Sequence, residues 1–397
     1  MPRELADFNL DEERVAFRDT LRRFVEEALP MTAVRGVIDS GVAFERDVWT
    51  RACDELGLAG IAIDEADGGQ GFGAKELAIA LGELGRGLAP LPLLASAGLA
   101  ARVVAAVLGR GKAGEWLGPV AAGEIATLAW LEAGGDWDPA ATALEVEGQG
   151  AGVRLRGEKH FVLDAPQAER IFVVARAPGS HCDEGLGLFA VEREAAGLSI
   201  HAQEGLDPTR SLARVVFDGA PARPVGEAGA AGPGIRRGLE EASALLAAEM
   251  VGGFQQVLET AVAYAAERHQ FSRPIGSFQA IKHKCADMLI GFEGARTASD
   301  AAIVAIDEDD PDRAELAMVA KAHVGPAYVR AAIENMQIHG GVGYTWEYDA
   351  HLYYRRAVSS GALLGDATFH QDALVRRIAA RRASTTTGAT PAQGGRR

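Results

Sequence analysis

The stretch RHQFSRPIGSFQAIKHKCADM, residues 268–288, interrupts two segments of helical character. The segment before it, residues 239–267, is rich in Ala, Leu and Glu, and helical spacing returns at residues 278–297. The turn between them begins at Arg268 and contains a proline and a glycine. A guanidinium at a helix end, followed by a tight turn, presents a two-pronged donor and backbone N–H groups to an anion. The stretch therefore predicts two long helices joined by a turn, which is either an ordinary inter-helix turn with a surface arginine or a turn that binds an anion.

Bulk composition narrows the class of protein. The chain has 397 residues, 48% of them hydrophobic, which is enough for two or three structural units. A formal net charge of −15 argues against a nucleic-acid interface, and we expect no membrane span or signal peptide. Three widely spaced cysteines, without a CxxC pair, predict a reduced cytoplasmic protein with no zinc site.

The sequence lacks the motifs of two common kinds of site, a nicotinamide-cofactor site and a metal site. No GxGxxG motif follows a candidate strand, so a Rossmann-type nicotinamide site is not expected. The histidines His283, His323 and His339 lack the spacing of a metal-ligand set. We therefore predict no metal site.

The spacing of apolar residues changes twice along the chain, from helical to strand-like and back. This order predicts an α+β fold that is mostly α. Residues 1–122 read as an N-terminal α-helical domain, with apolar residues at near-helical spacing among charges. Residues 123–232 contain short apolar runs separated by Gly, Asp and Pro, which predict an antiparallel β-domain. Residues 233–383 return to helical spacing and predict a four-helix bundle. The low-complexity end, residues 384–397, is predicted to be disordered.

Several motifs, in this order and spacing, resemble the acyl-CoA dehydrogenase family over nearly the whole chain. They are EADGGQGFG at 65–73, GRGLAPLPLLAS at 85–96, LDPTRSLARVVFDGAPA at 206–222, the turn at 268–279, and QIHGGVGYTWEYDAHLYYRR at 337–356. The resemblance implies an acyl-CoA dehydrogenase fold, FAD as cofactor, an acyl-CoA substrate and an electron-transfer flavoprotein as electron acceptor. It also implies a tetramer.

In this family the turn after the long helix and a Gln-x-x-Gly-Gly segment reach a flavin that is held mainly by a neighbouring subunit. A bidentate arginine suits the pyrophosphate, and adjacent glycines let the backbone approach a ligand closely. The residues that the resemblance assigns to this flavin contact are Arg268, Phe271, Gln279, Gln337, Gly340 and Gly341.

The catalytic base of the family is missing from its usual place. Most members carry a glutamate that removes the α-proton of the acyl-CoA, and the matching position in LLGDATFH is Gly365. Asp366 is one position further on and has a shorter side chain than glutamate. A minority of members place the base on the long helix, at a position that falls on Ala242, beside Glu240 and Glu241. Glu241 and Asp366 therefore stay open as alternative bases.

The flavin pocket of the chain's own middle domain departs from the family as well. Residues 128–130, Leu-Ala-Trp, stand in the neighbourhood where the family has a threonine. The Trp-Ile-Thr that packs on the flavin ring reads Phe-Val-Leu at 161–163, and Leu163 has no hydroxyl. The chain therefore keeps the turn that would contact the flavin of another subunit, but it lacks much of the flavin pocket of its own middle domain.

This asymmetry resembles one branch of the family, the actinobacterial steroid-type dehydrogenases built from two different chains in a heterotetramer. The leading interpretation is the base-less subunit of such an enzyme, acting on a steroid or other bulky acyl-CoA. One alternative is a homo-oligomeric dehydrogenase with a relocated base. Two others are a flavin monooxygenase on the same fold and a scaffold that binds no flavin alone.

Overall fold

The computed structural model describes residues 10–148 and 150–387. The N-terminal part is helical, as the sequence predicts. Asp11 caps the first helix by accepting a hydrogen bond from the backbone N–H of Arg14, and Gly41 and Gly57 end the next two in the left-handed conformation. The helices are α1 Glu12–Ala28, α2 Met31–Ser40, α3 Arg46–Leu56, α4 Ala74–Arg86, a π-helical stretch Leu94–Ala100 that continues into α5 Ala101–Leu108, and α6 Gly114–Ala121.

The middle part consists of two four-stranded sheets, with orders β1-β4-β5-β8 and β2-β3-β7-β6. The strands are β1 Ala126–Ala129, β2 Val146–Glu147, β3 Arg154–Leu163, β4 Arg170–Arg176, β5 Leu186–Glu192, β6 Leu198–Gln203, β7 Leu212–Pro221 and β8 Arg223–Val225. All pairs in these sheets are antiparallel except β1 and β4, which run parallel. This pair differs from the predicted antiparallel domain because the chain visits the second sheet between β1 and β4.

The C-terminal part is again helical, so the predicted order of helices, β-domain and helices is confirmed. Its helices are α7 Gly232–Glu267, α8 Gln279–Asp307, α9 Arg313–His339, α10 Ala350–Ala362 and α11 Ala367–Thr387. The predicted disorder of 384–397 differs from the structure at residues 384–387, because α11 continues through them. The rest of that prediction, residues 388–397, lies outside the described residues.

Helix α7 is placed against the N-terminal helices by a close glycine contact. A Cβ atom on Gly252 would lie 1.9 Å from the carbonyl oxygen of Gly82 on α4, so only glycine allows this approach. The contact fixes the long helix that later carries Glu241 and ends at Arg268. No helix among the described residues is both long and apolar enough to cross a membrane.

Candidate functional site

The turn after α7 is a small hairpin that projects from the bundle. Its strands are β9 His269–Gln270 and β10 Arg273–Pro274, joined by Phe271 and Ser272 with φ of 52° and 62°. Two successive positive φ angles match a type I′ turn, a conformation that costs energy for residues other than Gly, Asn or Asp. Phe271 is 87% exposed at the tip. A strained turn with an exposed aromatic is expected where a second molecule packs against it.

The Gln-x-x-Gly-Gly segment lies at the end of α9. Gly340 ends the helix with φ of 67°. Both Gly340 and Gly341 are exposed, and a Cβ added to either would have no atom within 4 Å. Gln337 is exposed, and its side-chain amide donates to the Tyr344 hydroxyl at 2.7 Å. This segment therefore presents open backbone at the molecular surface.

Stacked rings connect the two segments. Tyr264, four residues before Arg268, stacks on His339, one residue before Gly340, with ring centroids 4.0 Å apart. Burial lowers the pKa of His339, which favours the neutral ring in this stack. The end of α7 and the end of α9 therefore meet, and this contact is consistent with a single site formed by Arg268 and the glycine pair.

The chemistry of this surface fits part of a flavin dinucleotide. Arg268 is exposed, and no acidic side chain in the described part of the chain pairs with it. Its guanidinium is free to grip a pyrophosphate from outside the chain. Gln279 is exposed at the first position of α8, where its amide contacts the His283 ring at 3.2 Å. Arg268 and Gln279 therefore present polar groups at the surface that are available to a ligand from outside the chain.

Three residues at the positions where the resemblance places the chain's own flavin ring lie in the core. Leu128, Trp130 and Leu163 are buried, and the Thr127 hydroxyl donates to the backbone oxygen of Leu163 at 2.5 Å. The cavity beside Leu163 measures about 20 Å³, the space of one or two water molecules. A three-ring isoalloxazine cannot enter it.

A buried lysine that sequence reasoning missed fixes the loop after β1. The ammonium of Lys159 donates to the backbone oxygen of Trp130 at 3.0 Å and to Glu132 at 2.8 Å. Glu132 also accepts from the backbone N–H of Leu144. Burial lowers the pKa of Lys159 to about 8, although Glu132 opposes this. The ion pair holds Trp130 in its buried position.

Position 365 has no room for a side chain. Gly365 has φ of 98°, and a Cβ there would lie 2.5 Å from Cδ1 of Phe369 and 2.9 Å from Nε2 of His370. The ammonium of Lys321 donates to the carbonyl oxygens of Gly361 and Gly365 at 2.9 and 2.8 Å. Burial lowers the pKa of Lys321 to about 7. The turn between α10 and α11 is therefore closed around Gly365.

The two alternative bases are both engaged elsewhere. Glu241 is buried and pairs with Arg102 at 2.6 Å and with Arg237 at 2.9 Å. Burial opposes the ionisation of Glu241, but the two arginines outweigh it and hold its pKa below the ordinary value. Asp366 is exposed and caps α11 by accepting from the backbone N–H of Phe369 at 2.8 Å. Neither carboxylate is placed as a free base beside Gly365.

A small cavity remains next to the turn at Gly365. It measures about 70 Å³, and Trp130, Glu240, Leu364 and His370 line it. Burial raises the pKa of Glu240 above its ordinary value. The cavity is too small for a thioester and a flavin ring together.

The arginine of α10 belongs to a buried ionic cluster. Arg356 contacts Asp207 at 2.5 Å and Glu249 at 2.7 Å, and Arg210 also contacts Glu249. The motif residues of the middle domain and of α10 therefore serve to join the β-domain, α7 and α10. Sequence reasoning noted both segments but missed this pairing, because the partners are more than 100 residues apart.

A helical domain, a two-sheet middle domain and a helical bundle with a projecting hairpin form the acyl-CoA dehydrogenase fold that the resemblance predicts. Family models for the acyl-CoA dehydrogenase N-terminal, middle and C-terminal domains match residues 11–124, 128–220 and 234–379. The chain belongs to the acyl-CoA dehydrogenase family, and is thereby an FAD-dependent oxidoreductase that acts on the CH–CH bond of acyl-CoA.

Individual relatives cover nearly the whole chain. The acyl-CoA dehydrogenase IpdE2 of Mycobacterium tuberculosis is 33% identical over 354 residues, or 89% of this chain and 93% of that protein. A structure of the steroid ACAD Tcur3481-Tcur3483 matches with a TM-score of 0.83 and 30% identity, over 94% of this chain and 99% of that one. The ChsE4-ChsE5 complex from Mycobacterium tuberculosis matches with a TM-score of 0.82 and 27% identity, over 97% and 100%.

Proposed function

We propose that this chain is the base-less subunit of a heteromeric acyl-CoA dehydrogenase that introduces an α,β double bond into a bulky acyl-CoA, steroid thioesters included. The observation that carries the proposal is the geometry of Gly365. Its positive φ and the contacts of a hypothetical Cβ leave no room for a glutamate at the usual base position.

The hairpin gives the chain its contribution to the enzyme. Arg268 is exposed without an acidic partner among the described residues, and Phe271 is exposed beside it. We expect a homologous partner chain to hold the flavin ring and the base, while Arg268, Gln337 and the glycine pair complete the dinucleotide site. When bound, FAD supplies the hydride-accepting centre of the reaction.

The relatives support two finer parts of the proposal. One matched structure is described as a steroid ACAD with a paired name, Tcur3481-Tcur3483, and another is the ChsE4-ChsE5 complex. Both are consistent with a partner chain of the same family, and the first with a steroid substrate. An electron-transfer flavoprotein is the expected electron acceptor of the assembled enzyme.

One observation favours a second candidate function, a complete dehydrogenase within this chain. Glu240 lines the cavity beside Leu364, and burial raises its pKa, as suits a general base. Glu240 lies 3.6 Å from Arg377, a longer contact than those of Glu241 with Arg102 and Arg237 at 2.6 and 2.9 Å. Asp366 is engaged as the cap of α11.

Exchange of the substrate α-proton with solvent deuterium distinguishes the two functions. In the enzyme assembled with its partner chain, Glu240→Gln, Glu241→Gln and Asp366→Asn should keep exchange within a few-fold of the parent. Substitution of the partner's own base should lower exchange by about 10²–10⁴-fold, the usual contribution of a general base. A comparable loss in Glu240→Gln, with flavin still bound, would instead establish this chain as a dehydrogenase in its own right.

A further inference from the structure

The cavity beside the turn at Gly365 has walls suited to a small organic molecule. Trp137, Met318 and Phe369 give it apolar surface, and Trp130, His370, Ser243, Glu240 and Arg236 are the lining residues with polar side-chain atoms. Trp130 is 4% exposed and His370 is 5% exposed, so both side chains are held deep in the protein. The cavity combines apolar walls with few polar groups, as ligand sites commonly do.

Those two side chains each carry a buried polar atom without a partner. Within the described part of the chain, neither Nε1 of Trp130 nor Nδ1 of His370 has a hydrogen-bond partner. A buried polar group left unsatisfied costs free energy, so two on one cavity wall point to an occupant that bonds with them. Both belong to one cavity, which distinguishes them from isolated defects of packing.

The hydrogen-bonding roles of the two atoms are fixed. Nε2 of His370 lies 2.9 Å from the carbonyl oxygen of Leu364, which can only accept, so Nε2 carries the proton. Burial lowers the pKa of His370 to about 4, so the ring is neutral and Nδ1 is an acceptor. The indole N–H of Trp130 is a donor only. The occupant must therefore accept from Trp130 and donate to His370.

A hydroxyl group meets both requirements, whereas a ketone only accepts and an ammonium only donates. Glu240 on the cavity wall disfavours an anion. Arg236 at the same wall does not offset this, because it is engaged by Asp138 and Asp183 at 3.0 and 2.6 Å. We infer that the cavity binds a small neutral alcohol, with its hydroxyl between Trp130 and His370 and its apolar body against Trp137 and Phe369.

The volume limits the size of this alcohol. One water molecule needs roughly 10–15 Å³ by the same measure, so about 70 Å³ holds roughly five non-hydrogen atoms. A four-carbon alcohol fills that space. The inference is independent of the proposed subunit role, because it requires neither flavin nor a partner chain.

The test compares 2-butanol with butanone, which has the same skeleton but no hydroxyl donor. The full chain, labelled with ¹⁵N in its tryptophan indoles, is titrated with each while the Trp130 indole signal is followed by NMR. We expect a saturable shift with both, and binding of 2-butanol tighter by about two- to tenfold, the range of one neutral hydrogen bond.

Variants assign the preference to the named atoms. His370→Phe should remove the advantage of the alcohol over the ketone. Trp130→Phe should weaken both ligands, and because this variant lacks the Trp130 indole, its binding is followed through the indole signal of Trp137 on the same wall. Trp137→Phe, on the same wall, serves as the matched control and should keep the preference. The inference is overturned if neither compound gives a saturable shift over the range in which the other indole signals stay unmoved, because a water-filled cavity gives that result. Equal affinities in the parent chain overturn it too.

Discussion

The ammonium of Lys321, in the middle of α9, lies 2.8 Å from the carbonyl oxygen of Gly365, in the turn between α10 and α11. Lys321 is fully buried and also donates to Gly361 at the end of α10. One side chain therefore joins α9, the end of α10 and the turn before α11, at the position where the sequence resemblance places the family's base. This bond makes the closed turn a property of the bundle and not of the local sequence alone.

The buried amine predicts a dependence of stability on pH. Burial lowers the pKa of Lys321 from 10.5 to about 7 in the folded chain. Between these pH values the unfolded chain binds a proton that the folded chain has lost, so the free energy of unfolding rises with pH. The free energy of unfolding of the parent, minus that of Lys321→Met, should therefore increase by up to about 1.4 kcal/mol per pH unit between pH 7 and 10.

Urea denaturation at a series of pH values measures this difference. Lys282→Met, at an exposed site on α8, is the control and should give a difference that stays flat. A flat difference for Lys321→Met as well would mean that Lys321 keeps its ordinary pKa in the fold.

The two glycines held by Lys321 predict opposite responses to alanine. Gly365→Ala should lower the free energy of unfolding by about 1–3 kcal/mol, because φ is 98° and the new Cβ meets Phe369. At Gly361, inside α10, a Cβ meets only Val329 at 3.9 Å, so alanine should be neutral or stabilising by up to about 1 kcal/mol. Thermal denaturation of the two variants measures both changes in the free energy of unfolding. Equal changes in Gly365→Ala and Gly361→Ala would contradict the geometry of the turn.

The doubly paired carboxylate predicts a structural role for Glu241. Glu241→Gln should cost about 1–3 kcal/mol, less than a fully buried pair, because Arg102 and Arg237 remain partly exposed. The matched control is Glu55→Gln, which breaks the exposed pair with Arg51 and should cost less than about 1 kcal/mol. Chemical denaturation measures both. A Glu241→Gln chain of unchanged stability would show that the carboxylate is free.

The hairpin predicts a selective loss of cofactor in Arg268→Ala. In the assembled enzyme, removal of one charge-assisted hydrogen bond of roughly 1.5–3 kcal/mol should weaken FAD retention by about tenfold to a hundredfold. Because Arg268 is exposed and without an acidic partner in the described chain, the melting temperature of the isolated chain should stay nearly unchanged.

The control for the lost positive charge is Arg51→Ala, at a site on α3 remote from the hairpin. Flavin absorbance after gel filtration gives the readout, and unchanged occupancy in Arg268→Ala would contradict the assigned contact.

The order of domains could be predicted from the sequence because helical and strand periodicities change cleanly near residues 122 and 232. The hairpin could also be placed, since Pro274 and Gly276 punctuate two strongly helical segments. The parallel pairing of β1 with β4 could not be predicted, because a short apolar run has the same pattern whether its strand pairs in parallel or antiparallel. Nor could the continuation of α11 past residue 383, where Ser and Thr follow without an apolar pattern.

The candidate site was less readable because its decisive contacts join distant residues. The pairing of Glu241 with Arg102 spans 139 positions, and the bond from Lys321 to Gly365 spans 44. A lysine at helical spacing among alanines gives no signal of burial. Trp130 and His370 gave no signal either, since an indole and an imidazole on separate elements share a cavity only after folding. The absence of the usual base was visible in the sequence, but the closure of its position was not.

The crowding around Gly365 also bears on how such a chain can change over generations. Once Phe369 and His370 occupy the space of a side chain at position 365, a single codon change that restores glutamate produces a clash and a strained backbone. Restoring the carboxylate in a usable pose requires substitutions at several positions together, each harmful or useless alone. Under the proposed function, a lineage that carries this turn would therefore stay dependent on the chain that supplies the base.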